Sequence, residues 1–370
     1  MGPRRQASAA SPIINSVDAV LDSDSFLSHR IWIQCHGQVK FGERYCKSLQ
    51  AFADAGYRQI LWIHTFGDTP FRTTSTTLTR LVREGSLMFK RLATIIPAAD
   101  LEALYKGDTP VQHIKDLASV KVVFLFGGLY ADLKLFPASR ASLWDLATSL
   151  DSAAVQSDLL FASEPIWQWV GMTARALDHP HLGGVTKSQI SLAFFASKCR
   201  ANAVLNDLCE SLFAFWRRRS SQVTQGRTQR LEWTQKRQPL WMHNTQRAHE
   251  RALSDSGRIY VAPPMLVVPF PACMRSLQTE QHDEHGYVVP GSIDLAAFSA
   301  TAFIQVWTER QGWSVDLQDV VVAFADSLLS SSRVEEWRLL FEARVAKSCV
   351  RTCLDARQLI DVASRKIAVV

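Results

Sequence analysis

Asp116-Leu117-Ala118-Ser119-Val120-Lys121-Val122-Val123-Phe124-Leu125-Phe126-Gly127-Gly128-Leu129-Tyr130-Ala131-Asp132-Leu133-Lys134-Leu135-Phe136 is the stretch whose reading decides the fold. Upstream of it, Pro110 sits where a first helical turn tolerates proline, and Gly127 stands where a helix ends, so Thr109 to Phe126 is expected to be helical. A short strand from Leu129 to Leu133 should follow. Taken alone, Gly127-Gly128 is explained by a helix C-cap or a tight turn before a buried strand. It is no dinucleotide fingerprint, because a G-x-G-x-x-G loop follows a strand and opens a helix, whereas this pair follows a helix.

Working outward, Arg30-Ile31-Trp32-Ile33-Gln34 and Gln59-Ile60-Leu61-Trp62-Ile63-His64 are apolar runs of β-formers. Between them Tyr45, Leu49, Phe52 and Ala53 recur at helical spacing, with Gly56 at the C-cap position. Strand, helix and strand in this order imply a right-handed crossover and a parallel sheet. Thr73 to Ala93 is expected to be a helix. Further strands are expected at Asp158 to Ala162, Ile190 to Ala196 and Arg258 to Val261, with a helix from Asn202 to Arg218. From Ile293 onward the pattern is helical, including Leu317 to Leu329 and Val334 to Val350. The expected organisation is a disordered tail over 1–28, an α/β domain over 29–293 and a helical C-terminal extension over 294–370.

Composition bounds the class. With 370 residues, 47% hydrophobic and 21% charged, the chain belongs with globular proteins and not with disordered or membrane ones. No apolar run approaches the ~20 residues of a transmembrane helix. The first residues carry Arg4 and Arg5 but no apolar signal-peptide core, which favours a soluble, cytoplasmic protein. The seven cysteines are scattered without a C-x-x-C pair and are expected to be reduced core thiols. The ten histidines show no metal-binding spacing, and there is no nucleophile elbow. The net charge of +6 is concentrated between Trp216 and Arg251, where nine Arg or Lys face two Glu. Trp216, Trp233 and Trp241 lie among these cations, a pattern that binds single-stranded nucleic acid or an anionic surface. A solvated helix end with a loop accounts for the same pattern and is preferred, so nucleic acid is not the expected partner.

Asp116, Gly127-Gly128, Tyr130 and Asp132 together carry a resemblance. Their register is similar to that of the GT-A glycosyltransferases with an Asp-x-Asp motif, the group that includes fungal initiating mannosyltransferases, capsular-polysaccharide sugar transferases and toxin glucosyltransferase domains. Trp32 matches the tryptophan of that family's first strand, which stacks on the nucleotide base, though a tryptophan on an apolar strand is as readily core. Ser191 to Lys198 resembles the strand leading into a late helix. The resemblance covers roughly Arg30 to Arg218. It implies a GT-A-like, Rossmann-related nucleotide-sugar domain that moves a hexose from UDP- or GDP-hexose to a glycan or protein hydroxyl, with retention of configuration. It implies that Asp116 and Asp132 hold the sugar or ribose, that Gly127 and Gly128 let backbone approach the ligand, and that Glu164 lies near the sugar.

The departures are as specific. Ser119 stands at the family's helix arginine, Lys134 at the second aspartate, and Leu192 at the late strand's asparagine. Thr245-Gln246-Arg247 only weakly matches a Thr-Gly-Pro turn, and His282, His285 and Tyr287 only shadow a C-terminal histidine motif. Lys134 argues against a manganese or magnesium ion and leaves Asp132 as a lone metal ligand. Its ammonium supplies one positive charge where a metal supplies two, so leaving-group stabilisation survives on basic side chains, with Lys121 or an arginine of the basic segment in support. Against this metal-independent transferase stand two alternatives: a catalytically inactive relative serving as a binding or scaffold protein, and an anion or nucleic-acid binder built on the 216–251 segment.

Overall fold

A computed structural model describes residues 29–34, 43–63, 75–165, 188–229, 243–255, 258–262, 264–267 and 302–305. In the Asp116–Phe136 stretch the helix ends at Phe126 as expected, whereas the strand begins one residue before and ends two residues before the expected Leu129 to Leu133. A helix, α4 (Val111–Phe126), is followed by strand β4 (Gly128–Ala131). Helix α4 is buried without a break from His113 to Val120, because its apolar residues surround the axis instead of forming one stripe. Gly127 caps it at φ 66° and ψ −159°, a backbone conformation open to glycine alone. A Cβ there would meet the Cys199 carbonyl carbon and oxygen at 3.3 Å, so the glycine also admits the neighbouring backbone. Ala201 N–H donates to the Phe124 carbonyl at 2.7 Å across the same contact.

Among the described residues seven strands, β1 (His29–Gln34), β2 (Arg58–Ile63), β3 (Leu87–Arg91), β4, β6 (Leu159–Pro165), β7 (Ser188–Ser197) and β8 (Ile259–Ala262), form one mixed sheet in the order β3-β2-β1-β4-β7-β6-β8. Strand β1 (His29–Gln34), helix α1 (Glu43–Asp54) and strand β2 (Arg58–Ile63) make the expected crossover, and β1 and β2 pair in parallel. Gly56, at φ 88°, closes α1. The segment expected to be one helix over 73–93 divides: α2 (Thr76–Arg83) ends at Gly85, φ 74°, and strand β3 (Leu87–Arg91) follows, parallel to β2. The left-handed glycine breaks the helical repeat, and Leu87 and Met88 pair into the sheet instead. Helix α3 (Ala98–Lys106) leads into α4, and β4 then lies beside β1 on the side away from β2.

The second half runs through a turn to β5 (Leu135–Pro137), α5 (Leu143–Leu150), α6 (Ala153–Gln156), β6 (Leu159–Pro165) and β7 (Ser188–Ser197). Strand β7 is antiparallel to both of its neighbours, β4 and β6. Helix α7 (Ala203–Thr224) is capped by the Asn202 carboxamide, which accepts from Val204 and Leu205 N–H. Helix α8 (His243–Ser254), strand β8 (Ile259–Ala262), the short helix α9 (Pro264–Val267) and strand β9 (Phe303–Gln305) complete the described chain. Strand β9 lies inside the 294–370 stretch expected to be a helical extension. It pairs with β5 in a separate two-stranded sheet, and Phe303 packs on Phe52 and Phe194 at centroid distances of 5.7 and 4.7 Å. This part of the C-terminal region is therefore core of the α/β body. Residues 306–370 lie outside the described residues.

The main core joins α4, α7 and the central strands through Leu117, Val122, Tyr130, Phe195, Leu208 and Trp216, each at most 1% exposed. A second cluster gathers Leu49, Leu78, Leu87 and Leu133 around α1 and α2. Among the described residues no helix is long and apolar enough to cross a membrane.

Candidate functional site

The chain reverses direction across the sheet between β1 and β4. From β1 it winds outward to β2 and β3, then returns to place β4 on the other flank of β1. In open α/β sheets the crevice beyond the strand ends at such a reversal is where ligands bind, because the two adjoining loops leave in opposite directions. Asp132 is the first residue past the end of β4. The register Ile31↔Tyr130 puts Trp32 one step farther along β1, level with Ala131. So the sheet brings Trp32, Tyr130 and Asp132 to one end of two adjacent strands. Lys134 lies in the turn that follows, closed by Leu135 N–H donating to the Asp132 carbonyl at 3.0 Å, and is half-buried.

Asp132 is held from three sides. Its backbone N–H donates to the Ala193 carbonyl at 2.8 Å. Ala193 lies in a bulge of β7, where Leu192 to Phe194 intervene between the pairs Phe161↔Phe195 and Ala162↔Ser191. Such bulges re-aim chain beside functional sites. The Tyr130 hydroxyl donates to Asp132 Oδ1 at 2.5 Å. The Lys115 ammonium donates to Oδ1 and Oδ2 at 2.9 and 3.1 Å.

Lys115 was not among the residues expected at the site. It comes from the second turn of α4 and lies 3.5 Å from Asp116 Oδ1, which also accepts from Gln112 Nε2 at 3.4 Å. Burial pulls the ammonium's pKa down, but Asp132 and Asp116 outweigh it and the net shift is upward. The sequence did hold a signal: a lysine buried in a helix that packs on all sides needs a carboxylate within reach. Lys121, expected as the supporting cation, instead has its Nζ 5.3 Å from the Phe124 ring.

Asp116 belongs to a second, deeper network. Asn244, near the start of α8, donates to Asp116 Oδ2 at 3.0 Å and lies 3.3 Å from His113 Nδ1, while Trp216 Nε1–H donates to Asn244 Oδ1 at 2.8 Å. The His113 and Trp216 rings stack at 4.4 Å. Burial raises the Asp116 pKa, with Lys115 and Asn244 opposing it. Burial, with His243 and Lys115 adding to it, lowers His113 to about 3, and burial lowers His243 to about 4. No local pattern could have joined positions 113, 216 and 244, which are far apart in sequence.

The altered positions have structural occupations. Ser119 is buried and donates to the Asp116 carbonyl at 2.8 Å, and Leu192 packs in the main core. Gly127 and Gly128 both take positive φ, and the close approach recorded at Gly127 is that of the Cys199–Arg200 backbone. Glu164 lies in β6 opposite Gln189, with β7 between its strand and β4. Thr245 to Arg247 form the first turn of α8. His282, His285 and Tyr287 lie outside the described residues, as do Trp233 and Trp241.

The less favoured reading of the basic segment, a nucleic-acid platform, loses Trp216, which is fully buried with its indole N–H donated to Asn244. Several cations of the basic segment are matched internally, Arg217 to Asp100 at 2.7 Å, Arg251 to Asp207 at 2.6 Å and Arg247 to Glu250 at 2.9 Å. Likewise Cys46 and Cys209 are buried thiols as expected, but Cys199 is exposed.

A divalent ion does not fit the residues present. Both Asp132 oxygens accept from the Lys115 ammonium, the neighbouring acid position is Lys134, and among the described residues no group of three or more His, Cys, Asp and Glu could hold a metal.

No family model matches the chain, and no curated protein does. Among solved structures it is similar to PaToxG Glycosyltransferase, at 14% identity and a TM-score of 0.32, over 62% of this chain and 70% of that one.

Proposed function

We propose that the chain is a glycosyltransferase-like protein that binds a nucleotide diphosphate sugar at the β1/β4 end of its sheet and, in its active form, transfers the hexose to a glycan or protein hydroxyl without a metal. The observation that carries this reading is the arrival of Asp132 and Tyr130, with Trp32 beside them, at the reversal point of an α/β sheet. The motif resemblance of Asp116, Gly127, Gly128, Tyr130 and Asp132 supplies the ligand class. On this reading Trp32 stacks on the base, UDP or GDP. Asp116 and Asp132 accept hydrogen bonds from sugar or ribose hydroxyls, and Glu164 lies toward the sugar.

Breaking the glycosidic bond leaves negative charge on the departing diphosphate. Lys134, in the turn beyond Asp132, is the group assigned to meet it, since a fixed ammonium in a partly dry site stabilises developing charge more than water does. Retention of anomeric configuration is carried over from the resemblance.

A second reading has its own observation. Ser119 and Leu192, where the family places an arginine and an asparagine, are committed to a backbone hydrogen bond and to the core. A chain that has spent two ligand positions on packing fits a catalytically silent binding or scaffold protein. Calorimetric titration of UDP- and GDP-hexoses into the full chain, followed by assay of sugar release, separates the two. Binding with release supports the transferase, binding without release supports the silent relative, and binding unaffected by Trp32→Ala and Asp132→Asn removes the assignment of the site.

A further inference from the structure

We propose that Lys115 is the resident cation of this site, seated on the Asp132 carboxylate that a divalent ion would otherwise take, and that it makes ligand binding there independent of metal. The nature of the ligand rests on the sugar-nucleotide reading above, whereas the seat of the cation rests on geometry alone.

An ammonium has three N–H donors. Those of Lys115 are directed at Asp132 Oδ1 and Oδ2, at 2.9 and 3.1 Å, with Asp116 Oδ1 at 3.5 Å. Its Nζ also lies 5.7 Å from the Tyr130 ring centroid, so the tyrosine meets the pair with its face and its hydroxyl. The Lys115 side chain is 10% exposed and that of Asp132 is 20% exposed, which makes this an ion pair shielded from water on most sides. A manganese or magnesium ion needs carboxylate oxygens at roughly 2.0–2.2 Å and would have to expel the ammonium to reach them. Expulsion would leave the lysine charge inside the body with Asp116 as its remaining carboxylate, which strongly disfavours it.

Charge balance agrees. The family-like site would bring two motif aspartates to a metal. Here the second position is Lys134, and the first aspartate is already paired with the Lys115 ammonium. Lys115 acts through Asp132: its donors are already committed to the carboxylates, and it fixes the orientation in which Asp132 is held. It is a positioning residue, and its signature is metal dependence.

The test follows free Mn²⁺ by its electron-spin resonance while it is added to the full-length wild type, Lys115→Arg, Lys115→Gln, Asp132→Asn and the Lys115→Gln/Asp132→Asn double variant. The wild type and Lys115→Arg should take up no Mn²⁺ that Asp132→Asn abolishes. Lys115→Gln should bind one ion per chain, tighter than wild type by on the order of a hundredfold, since a unit charge a few ångströms away is removed, and the double variant should lose it. In parallel, binding of UDP- or GDP-hexose should ignore EDTA in the wild type and become Mn²⁺-dependent in Lys115→Gln. Asp132-dependent Mn²⁺ uptake by the wild type, or a folded Lys115→Gln that takes up none, overturns the proposal. Should Lys115→Gln fail to fold by circular dichroism, the comparison of wild type with Asp132→Asn decides it alone. Failure of every sugar nucleotide to bind overturns the ligand class, while the Mn²⁺ arms still decide where the cation sits.

Discussion

Asn244 shows how the site depends on single atoms. Its carboxamide serves two buried partners at once, accepting from Trp216 Nε1 at 2.8 Å and donating to Asp116 Oδ2 at 3.0 Å. A neutral hydrogen bond adds little net stability, but a buried group left without its partner costs its full desolvation, about 1–3 kcal/mol. Asn244→Ala should therefore lower the unfolding free energy by about 3 kcal/mol, as measured by urea denaturation. It should also weaken sugar-nucleotide binding through a misplaced Asp116. Asn244→Gln, which keeps the chemistry at a different length, should recover part of the stability. If Asn244→Ala unfolds at the wild-type urea concentration, the network through α7 and α8 does not hold Asp116.

At the scale of the element, the join between α4 and β4 is the part most legible in the sequence. Gly127-Gly128 after an apolar helix predicts a stop, and the structure shows why both must be glycine: φ is 66° and 84°. Gly127→Ala should cost about 2–3 kcal/mol, because the left-handed backbone is strained for alanine and the new Cβ presses on Cys199 at 3.3 Å. Thermal unfolding checks this, and an unchanged midpoint would mean that the α4–β4 join is not the rigid support of Asp132. Strands β1, β2 and β8 are readable as short runs of branched and aromatic residues, and β4 from its place directly after the helix-ending Gly127. Strand β3 is not, since Leu87-Met88-Phe89-Lys90-Arg91 has residues that suit a helix equally, and only pairing with β2 settles it. The same holds for Lys115: its place on a helix was visible, but its partner Asp132 is brought to it by the fold.

Across the whole molecule, one buried and one partly buried imidazole contribute to the response to acid. His113 is held down to about 3 and His243 to about 4, from an ordinary 6.5, in both cases chiefly by burial. A group whose folded pKa is depressed contributes stability that is complete above its unfolded value and drains away as pH falls toward the folded one. The window is therefore from 6.5 down to about 4, with His113 continuing to about 3. Each unfolding-linked proton adds a slope of at most about 1.4 kcal/mol per pH unit. Asp116 works the other way, since burial raises its pKa: its contribution is present below the ordinary 3.8 and is lost as pH rises through the folded value. Urea midpoints measured from pH 7 to pH 4.5 should fall steadily for wild type and less steeply for His113→Gln. Equal slopes would show that His113 is protonated in the folded chain.

The proposed ligand site is a matter of the whole molecule as well. The sheet reverses between β1 and β4, and the cations of the basic segment that the structure describes are partly matched by Asp100, Asp207 and Glu250. These two features favour the strand ends over the 216–251 segment as the proposed nucleotide site. Photolabelling of the full chain with azido-uridine and azido-guanosine diphosphate sugars in EDTA, followed by peptide mapping, tests this most directly. Saturable labelling on the peptides carrying Trp32 or Tyr130 to Lys134, competed by unmodified sugar nucleotide, is the expected result. Labelling confined to 216–251, or none that unmodified sugar nucleotide competes, would contradict it.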